Sequence, residues 1–288
     1  MNVDVFLLNS FTANEQGGNP AGVVLNADEL TDEDKLKIAK EVGYSETAFV
    51  CLSDEADFDV SFFTPTDEVD FCGHATLATF TMMYKLRLVP DGVYTQRTKA
   101  GLLEVAVGST GHVNMELRQP QKLGVFRYEE VSELIGLDEQ VLKSTELPVE
   151  AISTGLADVI IPVPFGSLDK LQPNDDLIVE FCEKHNLVGL HVFELGHKAE
   201  EITASCRNFA PLFGIPEESA TGSSNGALAC YLAEHVFSAE NHKFLFEQGR
   251  AMDCISHISA SVTCLAGKVT DIRVGGFAHE LGRRTVTV

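Results

Sequence analysis

The sequence predicts an α+β protein made of two pseudo-symmetric domains, each a mostly antiparallel sheet around one central helix. The first observation is a repeat: an aromatic strand ending in proline at residues 62–65 leads through an acidic loop into small residues around a glycine, and the same order recurs from residue 208. The second is that segments 74–86 and 222–236 are apolar on nearly every face, which is typical of a helix enclosed by a sheet.

Short alternating segments of the first half predict the strands of its sheet. A helix lies between them, because Thr31 and Asp34 have the spacing of a capping box and Gly43 provides a stop. The predicted strands cover residues 3–8, 21–25, 47–52 and 57–63, and a hairpin covers 101–107 and 112–117.

The polar residues around Pro120 mark the domain boundary, which gives a domain of residues 1–118 and a second of residues 119–288, whose last strand is free to return to the first. In the second half we expect a short helix before Leu137 and a longer one over 175–185, capped by Asn174. Its strands are expected near residues 149–153, 158–163, 188–194, 204–209, 244–248, 255–262 and 268–274.

Composition excludes several function classes. The formal net charge of -22 repels nucleic acid and anionic membrane surfaces. No apolar run approaches the roughly 20 residues of a membrane span, and the N-terminus does not resemble a secretory signal. Seven scattered cysteines without a C-x-x-C pair indicate free thiols in a reducing compartment, so we expect a cytoplasmic protein.

Glu46 is the strongest candidate for a catalytic residue. It follows a predicted helix end and opens an apolar strand. Partial burial and the negative end of the helix are both expected to raise the pKa of its carboxyl group. Such a group can take a proton from carbon and return it elsewhere. The alternative is an ordinary surface glutamate at the start of a strand.

The starts of the two apolar helices are the candidate binding residues. Gly73 and His74 begin one, and Gly222 and Ser223 begin the other. Free backbone NH groups at such ends suit a substrate carboxylate or a developing oxyanion, although ordinary helix capping would explain the same residues. His74 is also a candidate acid/base group.

Two further residues beside these helix starts have reactive side chains. Glu218 precedes the second helix and is a candidate catalytic carboxylate, although acidic residues are common at such positions in any case. Cys72 precedes the first helix, and it is either a reactive thiol or a packing residue.

Spaced motifs run along nearly the whole chain. They are G-N-P-A-G-V-V from Gly18, S-E-T-A-F from Ser45, F-T-P from Phe63, C-G-H-A-T from Cys72, A-T-G-S from Ala220 and Q-G from Gln248. Together they resemble the motifs of the PhzF-like isomerases of phenazine biosynthesis, which are related to diaminopimelate epimerase.

The resemblance implies the diaminopimelate-epimerase fold and proton transfer on a small carboxylate-bearing metabolite, without cofactor or metal, in a homodimer. It places the proton-shuttling glutamate at Glu46 and the G-H pair at Gly73 and His74. Within the matching motifs we assign substrate-binding roles to Ser45 and Asn19, beside Gly73, Gly222 and Ser223.

The sequence departs from the family pattern at identifiable places. Glu218 stands where the family has aspartate, and Asp253 to Ser256 replace a G-R-P-S run. The epimerase relatives use two opposed cysteines, of which only Cys72 is present, since the second half has Thr221. Two other functions stay open: an amino-acid epimerase or racemase, and a metabolite-binding protein without turnover.

Overall fold

A computed structural model describes residues 1–197 and 201–288 of the chain. They form two compact units: unit 1 contains Met1–Glu116 together with Gly275–Val288, and unit 2 contains Leu117–Val274. None of the described helices is long and apolar enough to cross a bilayer. All seven cysteines are free thiols.

The helices and strands of unit 1 follow in chain order. They are β1 (Asn2–Ser10), β2 (Asn19–Val24), α1 (Asp32–Val42), β3 (Glu46–Cys51), β4 (Phe58–Phe63), β5 (Glu68–Val69), α2 (Gly73–Lys85), β6 (Gly92–Thr98), β7 (Gly101–Val107), β8 (Val113–Glu116) and, at the C-terminal end, β18 (Ala278–Thr287).

The last strand of the chain lies in unit 1, a return that the predicted division at residues 118 and 119 left open. Strand β18 pairs antiparallel with β1 along its whole length, from Asn2 opposite Thr287 to Ser10 opposite Ala278. Because these backbone hydrogen bonds join the two ends of the chain, the last strand belongs to unit 1.

The sheet of unit 1 surrounds helix α2. Strand β1 pairs antiparallel with β2, β2 parallel with β3, and β3 antiparallel with β4. Strand β4 then pairs antiparallel with β5 and parallel with β6, which continues antiparallel to β7 and β8. Helix α2 packs on β1, β2, β3, β7, β8 and β18, and its side chains are buried from His74 to Phe80. The helix is therefore the core of this unit.

The elements of unit 2 are named in the same way. They are β9 (Gln121–Phe126), α3 (Tyr128–Ile135), α4 (Glu139–Lys143), β10 (Val149–Ser153), β11 (Ala157–Val163), α5 (Asp175–His185), β12 (Gly189–Leu195), β13 (Ala204–Ala210), β14 (Ile215–Glu218), α6 (Gly222–His235), β15 (Asn241–Gln248), β16 (Ser256–Leu265) and β17 (Lys268–Gly276), whose last residues belong to unit 1.

Unit 2 repeats the strand pairing of unit 1. Strand β10 pairs antiparallel with β11, β11 parallel with β12, β12 antiparallel with β13, β13 antiparallel with β14 and parallel with β15, and β15 antiparallel with β16. Helix α6 occupies the place of α2 and packs on β10, β11, β15 and β16. The repeat in the sequence therefore corresponds to two units with the same order of strand pairing.

The registers make individual residues of the two units equivalent. The first parallel pair is Ala21 opposite Glu46 in unit 1 and Asp158 opposite Gly189 in unit 2. The next strand follows in step, since Thr47 lies opposite Phe63 and Leu190 lies opposite Phe209. Gly189 is therefore the equivalent of Glu46.

Local signals in the sequence explain the helix ends. Thr31 and Asp34 form the predicted capping box of α1, and Gly43 ends it with φ of 76° in the left-handed region. Asn174 caps α5 as predicted. Strands β5, β6, β9, β14 and β18 had no predicted range, because they are short or mostly exposed and show little apolar alternation.

Replacing Gly189 with alanine should destabilise unit 2. A Cβ atom there would lie 2.2 Å from the carbonyl oxygen of Phe209, so β12 and β13 would have to separate. We expect a loss of roughly 1–3 kcal/mol in the free energy of unfolding, measured by urea denaturation.

Gly92→Ala is the matched control, because its Cβ atom would meet Tyr94 at an ordinary 3.5 Å. Equal urea midpoints for wild type and Gly189→Ala would show that the strands have room for the methyl group.

Candidate active site

Helix α2 brings its first turn against the start of β3. Cys72 is the N-cap residue of α2 and has extended backbone angles, and Glu46 is the first residue of β3. The Nε2 atom of His74 lies 3.2 Å from Oε2 of Glu46. The packing of the buried helix thus places an imidazole beside the candidate carboxylate.

Ser45 and Cys72 complete a cluster around the imidazole of His74. Ser45 Oγ lies 3.4 Å from Nε2, and Cys72 Sγ lies 3.4 Å from Nδ1 and 3.8 Å from Nε2. His74 and Cys72 are buried, whereas the Glu46 side chain keeps 20% of its surface exposed. The Glu46–Cys72–His74 cluster is therefore enclosed but open to a ligand on the glutamate side.

One oxygen of Glu46 is buried without a well-directed hydrogen bond. Oε2 is inaccessible to solvent, and its approach to His74 does not have hydrogen-bond geometry. A buried acceptor without a well-directed hydrogen bond costs free energy, so this oxygen is the acceptor that a ligand donor would satisfy.

The cluster perturbs the pKa of each member. Burial alone would raise the pKa of Glu46, but the contacts with His74, Ser45 and Cys72 outweigh it and hold the pKa below its ordinary value. Burial alone would lower the pKa of His74, but Cys72 and the Glu46 carboxylate hold it well above its ordinary value. Burial raises the pKa of the Cys72 thiol. The favoured state near neutral pH is a carboxylate–imidazolium pair beside a neutral thiol.

The expected direction of the Glu46 pKa shift was wrong. Burial acts as expected, but the contacts of the carboxylate with His74, Ser45 and Cys72 together have the larger effect. Helix α1 ends at Val42, and Gly43 to Ser45 separate its C-terminal end from Glu46, so the field of that helix end has faded.

Ser10 fixes the start of α2 and lies beside Asn19. The Ser10 hydroxyl is buried and donates to the carbonyl oxygen of His74 at 2.6 Å. Asn19, the first residue of β2, lies opposite Ser10 in the sheet and is buried. Unit 1 thus holds Glu46, His74, Gly73, Ser45 and Asn19 near one end of α2.

Unit 2 holds the other predicted residues at the start of α6. The hydroxyl of Thr221 donates a short hydrogen bond to the carboxylate of Glu218. The Gln248 side chain accepts from the Thr221 backbone NH at 3.1 Å and donates to the Glu218 carbonyl oxygen at 2.7 Å. Gly222 and Ser223 follow directly and are partly exposed. Glu218 is therefore held in place rather than mobile at the surface.

A buried polar network connects the first turn of α6 to the neighbouring strands. Ser224 donates a short hydrogen bond to Asp158, and the Asn208 amide lies 3.3 Å from both Asp158 Oδ2 and His191 Nδ1. Burial raises the pKa of Asp158 and lowers that of His191 to about 3. Sequence reasoning missed these residues because polar side chains in alternating strands look like exposed positions.

The first turns of α2 and α6 each accept an equivalent hydrogen bond from a hydroxyl at the end of a strand. Thr154 Oγ1 donates to the carbonyl oxygen of Ser223 at 2.8 Å, as Ser10 Oγ does to that of His74. The strand registers make Ser10 and Thr154 equivalent, and the helix starts make His74 and Ser223 equivalent. The two units therefore have the same backbone arrangement at the helix start, but the side chain there is His74 in one and Ser223 in the other.

Comparison with known proteins gives matches along nearly the whole chain. The family model of PhzC-PhzF, phenazine biosynthesis-like protein, matches residues 8–281. An uncharacterized isomerase of Clostridium acetobutylicum is 33% identical over 287 residues, covering 96% of this chain and 95% of the relative.

Solved structures show the same fold. A Bacillus anthracis phenazine biosynthesis protein of the PhzF family has a TM-score of 0.90 and 30% identity, with 100% of both chains covered. A hydroxyproline epimerase from Agrobacterium vitis, solved with bound trans-4-OH-L-proline, has a TM-score of 0.66 and covers 99% of this chain and 91% of its own. At 11% identity this second likeness concerns the fold alone.

The ion pair of Glu46 and His74 should give stability a characteristic pH dependence. The raised His74 pKa contributes stability below the unfolded value of 6.5, and this is lost as pH rises through the folded value. The lowered Glu46 pKa contributes stability above the unfolded value of 4.5. We expect the loss of unfolding free energy in His74→Gln to be largest between pH 4.5 and 6.5 and to shrink at higher pH, measured by denaturant titrations.

His112→Gln is the control with the opposite sign. Burial lowers the pKa of His112, so its contribution to stability increases as pH rises toward 6.5. If the effect of His74→Gln increased with pH above 6.5, the carboxylate–imidazolium assignment would be wrong.

Proposed function

This chain belongs to the PhzC-PhzF phenazine biosynthesis-like family, and we propose that it is an isomerase that moves a proton on a small carboxylate-bearing metabolite. The observation that carries the proposal is the buried, unsatisfied Oε2 of Glu46, 3.2 Å from the imidazole of His74. Relatives along nearly the whole chain are named isomerases, which agrees with this reaction class.

Glu46 is the proposed proton shuttle. Its carboxylate removes a proton from a carbon atom of the substrate that is activated by a neighbouring unsaturated or carboxyl group. The electron pair of the broken C–H bond moves into the substrate, and the imidazolium of His74 stabilises the negative charge that develops there. The carboxylic acid exchanges its proton with solvent in part of the turnovers, because the Glu46 side chain is 20% exposed. It then returns a proton to a different carbon, which regenerates the carboxylate.

The balance of forces on Glu46 explains how a carboxylate of low pKa acts as a base. His74 lowers the pKa while burial raises it. When the charge of His74 turns to a bound substrate anion, burial becomes the dominant influence on Glu46. Its pKa then rises toward the value that suits proton transfer.

For unit 2 we propose a role in substrate binding. Glu218 is held by Thr221 and Gln248, and the adjoining first turn of α6 offers the backbone NH groups of Gly222 and Ser223 to a carboxylate. The N-cap Thr221 makes no side-chain capping bond to these NH groups. Glu218 replaces the aspartate of the family pattern, so we propose that it redirects substrate choice rather than the reaction class.

The proposed reaction moves a proton and no other group, so it requires acid and base side chains rather than a redox or electron-sink cofactor. We further propose a homodimer, which analytical ultracentrifugation tests directly. A cysteine-based epimerase is the competing function, and iodoacetamide would abolish it. A binding protein without turnover would give ligands but no exchange with solvent hydrogen.

Glu46→Gln should abolish turnover and preserve the fold. Carboxylate metabolites that raise the melting temperature are incubated with protein in D2O, and NMR follows deuterium entering carbon positions. Glutamine has the shape of glutamate but cannot take the proton, so we expect the rate to fall by about 10²- to 10⁴-fold.

Cys72→Ser is the comparison for that experiment, and its rate should fall far less. A Glu46→Gln variant that retains most of the rate, beside an inactive Cys72→Ser variant, would replace the glutamate shuttle with the epimerase mechanism. Ligands without any deuterium exchange in the wild type would favour the binding protein.

Gly222→Val should weaken ligand binding more than folding. The partly exposed first residue of α6 would carry a branched side chain over the NH groups that we assign to the substrate anion. We expect the stabilising effect of each ligand found above to fall at least tenfold in apparent affinity, about 1.4 kcal/mol.

Gly92→Val, at the exposed start of β6, is the control and should bind as the wild type does. Unchanged affinity in Gly222→Val would remove the start of α6 from the proposed binding site.

A further inference from the structure

We propose that Glu46, Cys72 and His74 also bind one zinc ion, which would hold the proton-transfer cluster in an inactive state. The ligand atoms of the three side chains all lie within 4.8 Å of one another. Within residues 1–197 and 201–288 this is the one group of three His, Cys, Asp or Glu side chains with that spacing. The binding step depends only on this geometry, while the inactivation rests on the proposed function.

The separations of the ligand atoms match a zinc coordination shell. Tetrahedral zinc has Zn–N and Zn–O bonds of about 2.1 Å and a Zn–S bond of about 2.3 Å. These bond lengths require an N···O separation of about 3.4 Å and an N···S separation of about 3.6 Å. His74 Nε2 lies 3.2 Å from Glu46 Oε2 and 3.8 Å from Cys72 Sγ. Both separations are close to the required values before any side chain moves.

The side chains need only a small adjustment to accept the ion. Cys72 Sγ lies near both ring nitrogens of His74, at 3.4 Å from Nδ1 and 3.8 Å from Nε2. A modest turn of the imidazole directs the Nε2 lone pair to an ion held by sulfur and carboxylate. The backbone is already fixed, because Ser10 holds the carbonyl of His74.

The donor set favours zinc over harder cations. A thiolate, an imidazole and a carboxylate together suit a borderline-soft ion, whereas magnesium and calcium prefer oxygen ligands. The unsatisfied Oε2 of Glu46 gains a partner on binding. Because Glu46 is the exposed side of the cluster, a fourth position stays open to water or a small anion.

Binding is balanced by proton release. The zinc ion forms bonds to sulfur and Nε2, and the protons of the Cys72 thiol and the His74 imidazolium pass to solvent, with no change of oxidation state. The bound ion then occupies the carboxylate oxygen of Glu46 and replaces the proton of His74, both of which the isomerase reaction requires. Zinc and a substrate anion would therefore compete for one cluster.

Cobalt titration of the metal-free full-length protein tests the site without any substrate. Cobalt(II) replaces zinc in such sites, and its bond to a thiolate gives a charge-transfer band in the near ultraviolet. We expect a 1:1 band that added zinc removes. Cys72→Ser should lose the band and weaken zinc affinity by at least about 100-fold, since losing even a supporting partner costs 10- to 100-fold.

Glu46→Gln should keep the band with at least about tenfold weaker affinity, because only the carboxylate bond is lost. Cys51→Ser is the matched control: it removes another free thiol of unit 1 and should leave the titration unchanged. Circular dichroism confirms that each variant is folded.

X-ray absorption at the zinc edge of the wild type gives a readout that needs no variant, with one sulfur at about 2.3 Å and nitrogen or oxygen at about 2.1 Å expected. No cobalt band in the wild type, a band that survives Cys72→Ser, or a zinc shell without sulfur would each overturn the proposal. These results leave the deuterium-exchange test of Glu46 unaffected, so the two ideas fail separately.

Discussion

The enclosure of α2 by a sheet is the constraint on which the rest of unit 1 depends. A helix apolar on every face has to be surrounded, so its first turn must meet the ends of the surrounding strands. Its N-cap residue Cys72 makes no side-chain capping bond, unlike Thr31 at the surface helix α1. The reactive side chains sit at that first turn, where the backbone is rigid and partly desolvated. Burial of the helix thus determines both where the Glu46–Cys72–His74 cluster lies and how far it is shielded from water.

Electrostatics within the cluster are a balance of opposed effects. Desolvation of Glu46 and His74 disfavours both charges, while their mutual attraction favours both. Without the other residue, the charged form of either Glu46 or His74 would be disfavoured by burial. A binding partner that engages one of them changes the proton affinity of the other at once. The same coupling that stabilises the resting pair makes it responsive to a ligand.

Features that depend on neighbouring residues could be predicted from the sequence, whereas features that depend on contacts between distant residues could not. The caps at Thr31, Gly43 and Asn174 are decided by neighbouring residues, and they appear as predicted. The repeat and the apolar helices gave the arrangement of a sheet around a helix. The sign of the Glu46 pKa shift was not predictable, because it depends on the 3.2 Å approach of His74 across the fold. The network of Asp158, His191 and Asn208 was equally hidden, since no spacing in the chain reports it.

The contact at Gly189 also limits what the second half of the chain can become. Its position corresponds to Glu46, yet the carbonyl oxygen of Phe209 leaves no room for even a methyl group. A buried carboxylate lies instead on the neighbouring strand, where Asp158 is opposite Gly189 and accepts a hydrogen bond from Ser224. A single substitution at Gly189 therefore cannot introduce the equivalent of Glu46 without separating β12 from β13. Unit 2 is free to change the residues at the start of α6, and adaptation to new substrates is expected to accumulate there.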